Sequence, residues 1–312
     1  MKTLFVSPSY ICNEKCVFCP CYKEAKRYAP IPEVLLKSCI EEAFQKNRIE
    51  MVLISGGEPT LYKELPEIMK YIREMGLKIG ILSNSLRFAD EFFINSFINS
   101  VGGDFELTTA FHSHIAKEHD AITGIKGSFE KSLKGINNLI KANVHVTLKH
   151  VINALSYKKL PEFAQWVYLT FPDSVPWVIC NMDLCGEALN NKSLTAVSFD
   201  ESKPYLEKTL DIVTENHAKE RHRNVSVFNT PLCCIDPYYW KFLQKYESEE
   251  SMSALLLPSA DKNIAPAIKY NLKGDGGANF IPCLECKVKS FCPGTWRQTA
   301  GHFGNKIFNP II

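Results

Sequence analysis

The chain has 312 residues, and its 36 Lys and Arg nearly balance its 34 Asp and Glu, leaving a formal net charge of +2. This charge is too small for bulk electrostatics to hold nucleic acid or an anionic membrane, and we expect neither as a partner. Hydrophobic residues make up 46% and charged residues 22%, which excludes collagen-like, coiled-coil and wholly disordered chains. The length suits about two domains, or one large α/β unit with an extension.

Cysteine is the most informative residue type in this sequence. No stretch approaches the roughly 20 apolar residues of a membrane-spanning helix, and no signal-peptide core is visible, so we expect a cytoplasmic protein. The chain contains 12 Cys. In a reducing compartment, cysteines at short spacings more often bind metal or do redox chemistry than form disulfides.

Short β-rich runs alternate with amphipathic segments up to about residue 181. The predicted strands are Thr3–Val6, Met51–Ile54, Lys78–Leu82, Phe105–Phe111, Val144–Ile152 and Trp177–Cys180. The predicted helices, with apolar residues three and four positions apart, are Pro32–Gln45, Tyr62–Met75, Phe88–Ile98, Ser128–Lys141 and Tyr157–Tyr168. This alternation predicts an α/β fold, an open (β/α)6 partial TIM barrel with a parallel sheet. Function should then lie just after each strand.

The alternation fails beyond the sixth predicted strand. We therefore predict a barrel domain over residues 1–185 and a small, metal-stapled C-terminal extension over residues 186–312. Within the extension, we predict a helix (Ser202–Thr214), a strand (Val225–Phe228), two mobile loops (Ser248–Ser253 and Lys273–Asn279) and an apolar patch between them (Leu255–Leu257).

The first cysteine cluster is the run Cys12-Asn-Glu-Lys-Cys16-Val-Phe-Cys19, which follows the first predicted strand. Three thiolates from one short loop can hold three irons of a cubane and leave the fourth iron open to an exogenous ligand. The alternatives are a zinc knuckle that lacks its fourth ligand, or unrelated thiols. No His lies nearby, since the first His of the chain is His112.

This C-x3-C-x2-C run, with the aromatic Phe18 before its last cysteine, resembles the signature of the radical S-adenosylmethionine (SAM) enzymes. The resemblance implies a [4Fe-4S] cluster on Cys12, Cys16 and Cys19, with SAM on the open iron and Phe18 beside the cofactor. It also implies that an electron from the cluster cleaves SAM to a 5′-deoxyadenosyl radical, while the protein positions the cofactor. We expect an electron donor such as flavodoxin or ferredoxin as a partner.

A second match follows the second predicted strand, in the run Gly56-Gly57-Glu58-Pro59. The run resembles the GGEP motif of the same family and implies that these residues bind SAM. Glycines let backbone carbonyls approach an ammonium group closely, and Glu58 adds charge. Alone, such a run also fits a tight turn between a strand and a helix. Two matches on consecutive strand ends are a stronger signal.

Two further strand ends carry polar candidates for the same cofactor. Ser83 and Asn84 follow the third predicted strand and resemble the family's ribose-binding turn. On the fifth predicted strand, Lys149 and His150 point to opposite faces, so one of them can face the barrel and meet the methionyl carboxylate of SAM. We choose Lys149, and the alternative for either residue is a solvated strand end.

The second cysteine cluster comprises Cys283, Cys286 and Cys292. A zinc ribbon normally has two C-x2-C pairs and only one is present, so a fourth ligand must come from elsewhere. Either Cys233 or Cys234 can complete a four-cysteine site, and we choose Cys233. The run resembles the SPASM or twitch extensions of peptide-modifying radical SAM enzymes. Since no Cys follows Cys292, the resemblance implies one auxiliary [4Fe-4S] cluster rather than two.

The remaining thiols include candidates for catalysis. Cys180 and Cys185 lie at or just past the last predicted barrel strand, and Cys234 adjoins the auxiliary site. A thiol S–H bond is weak, and radical epimerases of the resembled family quench a substrate radical by giving up such a hydrogen. We therefore name Cys180, Cys185 and Cys234 as candidate hydrogen donors.

Our leading hypothesis is a radical SAM maturase that abstracts hydrogen from a ribosomally made precursor peptide, giving an epimer, a crosslink or another C–H modification. The enzymatic alternative keeps the cofactor and oxidises a small alcohol or sugar, as twitch-type dehydrogenases do. The alternative of another class is a non-catalytic metal-binding module. The ordered motifs on successive strand ends argue against that last alternative.

Overall fold

A parallel sheet forms the centre of the protein, which the computed structural model describes over residues 1–243, 253–256, 267–270, 280–304 and 307–312. Seven of its strands follow one another across the sheet in chain order. They are β1 (Thr3–Val6), β2 (Met51–Ile54), β3 (Lys78–Ser83), β4 (Glu106–Ala110), β5 (His145–Ile152), β6 (Trp177–Asn181) and β7 (Val225–Phe228). All pair in parallel and curl into a half-barrel, which confirms the predicted α/β partial barrel.

The sheet continues on the other side of β1. Strand β8 (Ser253–Leu256) pairs in parallel with β1, and β9 (Ala267–Tyr270) pairs antiparallel with β8. Residues Leu255–Leu257 were predicted as an apolar patch, and β8 includes the first two of them. Of the two predicted mobile loops, residues 248–252 and 273–279 lie outside the described residues.

Helices connect consecutive strands, as parallel crossovers require. In the described residues, the helices between strands β1 and β7 are α1 (Glu33–Asn47), α2 (Leu65–Glu74), α3 (Glu91–Val101), α4 (Ala116–Thr123), α5 (Ser128–Lys141), α6 (Leu160–Thr170), α7 (Gly186–Asn190), α8 (Lys192–Thr195) and α9 (Phe199–Ala218). A further helix, α10 (Arg297–Phe303), follows the sheet. None of these helices has the length and apolar character needed to cross a bilayer. Helix α3 begins later than predicted because the Asp90 side chain accepts from Phe92 N at 2.8 Å and so caps the helix there.

Strand β7 was expected in the extension, yet it joins the barrel sheet as its seventh strand. Its residues pair with β6 in the register Trp177 to Val225 through Cys180 to Phe228. The half-barrel therefore continues past residue 185, and the division into two domains remains a prediction. A lone short strand carries no sequence signal for which sheet it will join, since that choice depends on its neighbours.

The two faces of the sheet differ in burial. Along β5, Leu148, His150 and Ile152 are buried, and the His150 ring lies 4.8 Å from the ring of Phe163 on α6. This face packs against the helices and forms the main hydrophobic core. The intervening residues, including Lys149, are only half-buried and face the concave side of the half-barrel. Ligand-binding side chains are expected on that concave side.

Candidate active site

The loop that carries the first cysteine cluster runs alongside the glycine loop after β2. Beyond the strand ends, Gly57 N donates to Ser9 O and Glu58 N donates to Ile11 O, both at 2.8 Å. A side chain at Gly56 would collide with Ser9 O, and one at Gly57 would collide with Ile11 O. Gly56 also has a φ of +105°, which non-glycine residues rarely adopt. The glycines therefore allow a close approach to the chain's own cysteine loop.

We expect Gly57→Ala to destabilise the protein by about 1–3 kcal/mol and to lower its iron content after reconstitution, because the added methyl must push Ile11 away. The matched control is Gly103→Ala, whose methyl meets nothing closer than Ala142 O at 3.7 Å. Thermal unfolding and iron analysis of both variants check this. Equal behaviour of the two variants would show that the close approach is dispensable.

Cys12, Cys16 and Cys19 are half-buried, and two donors already point at the sulfur of Cys12. Glu14 N donates to Cys12 Sγ at 3.4 Å, and Asn84 Nδ2 lies 3.9 Å from the same sulfur. Hydrogen bonds to cluster sulfurs stabilise the negative charge of an iron-sulfur centre and tune its potential. Three half-buried loop thiols, one of which already has such donors, fit a cubane with one open iron.

The cysteine loop is anchored on its other side by helices. Lys15 N and Val17 N donate at 2.9 Å to Thr123 O and Ile122 O, carbonyls at the C-terminal end of α4. These carbonyls have no partner within their own helix, so the loop satisfies them. Near the end of the loop, Glu187 N donates to Cys19 O at 2.9 Å. Backbone hydrogen bonds to α4 and α7 therefore hold the loop in place.

Glu58 is buried, and its carboxylate lies at the centre of a hydrogen-bond network. One oxygen accepts from Thr60 Oγ1 at 2.7 Å and Ser83 Oγ at 2.8 Å, and the other from Asn84 N at 2.8 Å. Burial raises the pKa of Glu58, while these hydrogen bonds act in the opposite direction. The structure thus brings together three of the residues predicted to bind SAM. Pro59, also buried, opens the turn that follows.

Lys149 and His150 are separated by the sheet, as their alternation predicts. His150 packs under α6, whereas Lys149 shares the concave face with its register partners Ala110 and Val178. Phe18 packs edge-on against His112, with ring centroids 5.1 Å apart, at the mouth of the half-barrel. Lys149 therefore has the position that a cofactor ligand requires, and its role stays a prediction.

Four cysteines line one cavity in the C-terminal region: Cys233, Cys283, Cys286 and Cys292. Leu232 N and Gly294 N each donate to Cys292 Sγ at 3.4 Å. Within the described residues, no three metal-binding side chains converge on the position of a single ion. A cubane requires ligands that are spread apart rather than converging on one point, because each of its irons binds a thiolate at its own corner.

Cys234 lies outside this cavity. Its Sγ donates to Ile307 O at 3.4 Å, and the side chain is buried with Phe199 and Phe308. A hydrogen bond to Cys233 and burial raise the pKa of Cys234, and the same hydrogen bond lowers the pKa of Cys233 to about 7. The cavity thus distinguishes the two adjacent thiols that the sequence left open as the fourth ligand.

The other two candidate hydrogen donors lie near the mouth of the half-barrel. Lys149 pairs with Val178 on β6, and Cys180 lies two residues further along the same strand. Side chains two residues apart point to the same face of a sheet, so Cys180 shares the concave face with Lys149. Cys185 lies in the loop after β6, beside Asp183. Burial raises the pKa of Cys180, and burial together with Asp183 raises the pKa of Cys185 to about 12. Raised pKa values favour the protonated thiol, which is the form that can give up a hydrogen atom.

A family model described as the radical SAM superfamily matches residues 6–167, more than half of the chain. The chain belongs to the radical SAM superfamily. This radical SAM protein is therefore an enzyme, as predicted, and its family uses a [4Fe-4S] cluster and SAM. The matched segment includes both the cysteine loop and the glycine loop.

Two curated relatives of this radical SAM enzyme bear different names. The Fe-coproporphyrin III synthase of Methanosarcina barkeri is 26% identical over 304 residues, covering 96% of this chain and 70% of that protein. A probable GTP 3′,8-cyclase of Thermococcus kodakarensis is 25% identical over 233 residues, covering 73% of this chain and 72% of that protein.

Among solved structures, this fold is similar to two that contain a bound peptide. Streptococcus suis SuiB bound to the precursor peptide SuiA has a TM-score of 0.58 at 15% identity, over 81% of this chain and 57% of SuiB. The protein anSMEcpe, with bound AdoMet and a Cp18Cys peptide, has a TM-score of 0.57 at 15% identity, over 72% of this chain and 62% of that chain. The chain thus spans less than two thirds of either protein, and the likeness concerns the fold.

Several residues of the site escaped sequence reasoning. Asn13 Oδ1 accepts from Asn84 Nδ2 at 2.7 Å, and buried Glu14 accepts from Cys16 Sγ at 3.4 Å. Burial raises the pKa of Glu14 to about 7. Only their positions inside the cysteine run mark these two residues in the sequence. Asn229 belongs to the sequence phrase Asn229-x-Pro231-Leu232-Cys233, but nothing in that phrase indicated the side-chain contacts that it makes.

Proposed function

We propose that this radical SAM enzyme abstracts a hydrogen atom from a carbon of a ribosomally made peptide. In this proposal, Cys12, Cys16 and Cys19 hold the cluster that binds SAM, and Cys233, Cys283, Cys286 and Cys292 hold one auxiliary [4Fe-4S] cluster. The single observation that carries the two-cluster proposal is the cavity lined by four thiols from two separate segments. An electron donor such as flavodoxin or ferredoxin completes the system.

When bound, the first cluster and SAM supply a 5′-deoxyadenosyl radical. The chain's own residues hold the pieces in place. The network around Glu58 fixes the glycine loop and the turn at Ser83 and Asn84 into one rigid edge beside the cysteine loop. Lys149 presents a positive charge from the concave face, suited to a carboxylate. Such rigid positioning is what the protein contributes to cofactor chemistry.

The choice of a peptide substrate is supported by the fold shared with SuiB and anSMEcpe, both crystallised with peptides. A second candidate is favoured by the relative named Fe-coproporphyrin III synthase, whose alignment covers 96% of this chain. That candidate is an iron tetrapyrrole substrate. Both candidates use the same radical, so the substrate assay must separate them.

Two substrates distinguish these candidates when each is incubated with the enzyme, SAM and dithionite under anaerobic conditions. One is the peptide encoded by any short reading frame beside the gene, and the other is an iron tetrapyrrole with carboxylate side chains. We expect the peptide to stimulate 5′-deoxyadenosine formation and to change in mass or stereochemistry. Turnover of the tetrapyrrole alone would overturn the peptide proposal. Turnover of a small polyol instead would favour the dehydrogenase.

Deuterated water tests whether a thiol returns hydrogen to the peptide. An epimerase that quenches through Cys180, Cys185 or Cys234 is expected to place one deuterium on the product carbon, because a thiol exchanges its proton with solvent. Replacing the donor by Ala should stop labelling while 5′-deoxyadenosine still forms. Crosslinking or dehydrogenation shifts the mass without the label, and an unlabelled epimer would contradict all three thiol candidates.

A further inference from the structure

We propose that Asn229 is a positioning residue that fixes the auxiliary site relative to the cysteine loop of the first cluster. The inference rests on the auxiliary cluster proposed above. The Asn229 side chain joins the two segments that supply the auxiliary thiols and ties both to the end of β6. From there, the loop 181–186 runs directly to the cysteine loop.

Asn229 makes three hydrogen bonds from a nearly inaccessible position, with 2% of its surface exposed. Its Nδ2 donates to Asn181 O at 2.8 Å, and its Oδ1 accepts from Thr295 Oγ1 at 2.9 Å and Trp296 N at 3.1 Å. Cys233 lies four residues after Asn229, and Thr295 lies three residues after Cys292. The amide therefore joins the Cys233 segment to the Cys292 segment.

The loop after β6 is held from the same side by α10. Thr299 Oγ1 donates to Met182 O at 3.2 Å and accepts from Leu184 N at 3.3 Å. Asn181 Nδ2 also donates to Thr230 Oγ1 at 2.6 Å. Buried polar networks that are satisfied in this way favour one arrangement, because breaking any member leaves a partner without a hydrogen bond.

The far end of the same loop is pinned to the first cluster site. Glu187 N donates to Cys19 O at 2.9 Å. Gly186, at a φ of +53°, packs so closely on Pro20 that a side chain there would collide with its carbonyl. A six-residue loop fixed at both ends cannot shift on one side without straining the other. The distance between the two cluster sites is therefore set through residues 181–186.

The backbone at Asn229 adds a second constraint, since its φ is +59°. Asn tolerates this left-handed conformation better than most residues, and Gly tolerates it without strain. Asn229→Gly therefore removes the side-chain hydrogen bonds and keeps the backbone turn. Asn143 provides the matched control, because it has a φ of +57° on the exposed turn before β5.

The test uses the full chain with Cys12, Cys16 and Cys19 replaced by Ala, so that only the auxiliary cluster remains to be observed. Removing a residue that orients metal ligands typically lowers metal affinity or activity by roughly 10- to 100-fold. We expect Asn229→Gly to lower the retained iron and to shift the electron paramagnetic resonance spectrum of the reduced cluster. Asn143→Gly should leave both unchanged.

Two further measurements test the role of Asn229. Asn229→Asp retains oxygens that accept from Thr295 and Trp296 but loses the donor to Asn181 O, so we expect a change in the spectrum that is clear but smaller than that of Asn229→Gly. This variant decides the question should the glycine variant not fold. In the chain with both clusters, Asn229→Gly should alter the magnetic coupling between them.

The outcomes separate this inference from the function on which it rests. If the chain with native Asn229 and no Cys12, Cys16 or Cys19 binds no cluster, the proposed auxiliary cluster itself is wrong. If it binds one, and a folded Asn229→Gly variant retains the same iron, spectrum and coupling, the positioning role is overturned. Where only Asn229→Asp folds, an unchanged spectrum and coupling in that variant overturn it.

Discussion

Replacing Cys12, Cys16 and Cys19 together by Ala is expected to abolish 5′-deoxyadenosine formation while the protein remains folded. Without these thiols, the open-iron cluster has no ligands and SAM cannot receive an electron. The fold should persist because backbone hydrogen bonds hold the cysteine loop to Gly57 and Glu58 on one side and to the end of α4 on the other. Anaerobic reconstitution with dithionite, followed by chromatography of the nucleoside, measures this.

A suitable control for that variant is Cys39→Ala. Cys39 lies on α1, packs against the main hydrophobic core and is remote in sequence from both cysteine clusters. Its replacement should leave SAM cleavage unchanged. Continued nucleoside formation by the triple variant would contradict the assignment of the first cluster, and circular dichroism of both proteins establishes that the fold survives.

The second large effect concerns iron content. Two cubanes give about eight irons per chain, and removing Cys283, Cys286 and Cys292 together should leave about four. Only one of the adjacent thiols Cys233 and Cys234 lines the cavity, so replacing each of them separately should affect the iron content differently. Cys233→Ala should perturb the auxiliary cluster because Cys233 lines the cavity, whereas Cys234→Ala should retain it because Cys234 lies outside.

Iron analysis and absorbance spectra of the reconstituted variants provide the measurement. The unsubstituted chain and Cys234→Ala should give the same iron content, with Cys233→Ala below both. Zinc at the C-terminal site in place of iron would contradict the auxiliary cluster. Equal iron loss in the Cys233 and Cys234 variants would show that the cavity does not select the ligand.

The first cluster site could be predicted from sequence because its residues follow consecutive parallel strands. The carboxyl ends of parallel strands meet at one edge of the sheet, so the order of motifs along the chain already brings Cys12 and Gly57 together. The backbone bonds from Gly57 N to Ser9 O and from Glu58 N to Ile11 O extend the same β1 and β2 pairing past the strand ends. Local spacing was sufficient there.

Two features could be assigned only from the tertiary structure: the face of the sheet that a strand residue occupies, and the sheet that a strand joins. Alternation along β5 separates Lys149 from His150, but only the packing of Phe163 on His150 identifies the helix side. Likewise, the sequence of β7 predicts a strand without saying which sheet it joins. Its pairing with β6 depends on backbone partners far away in sequence, which periodicity does not encode.

The sequence by itself determined the radical SAM family and the parallel half-barrel, and it predicts the three cysteines of the first cluster, because each depends on short spacings and a repeated strand-helix order. Only the tertiary structure placed Cys233, and not Cys234, in the lining of the cavity and showed which segments Asn229 joins. Adjacent thiols are equivalent in sequence, and packing of Cys234 with Phe308 leaves Cys233 facing the cavity. The contacts of Asn229 join residues far apart along the chain, and such pairings arise only when the chain is folded.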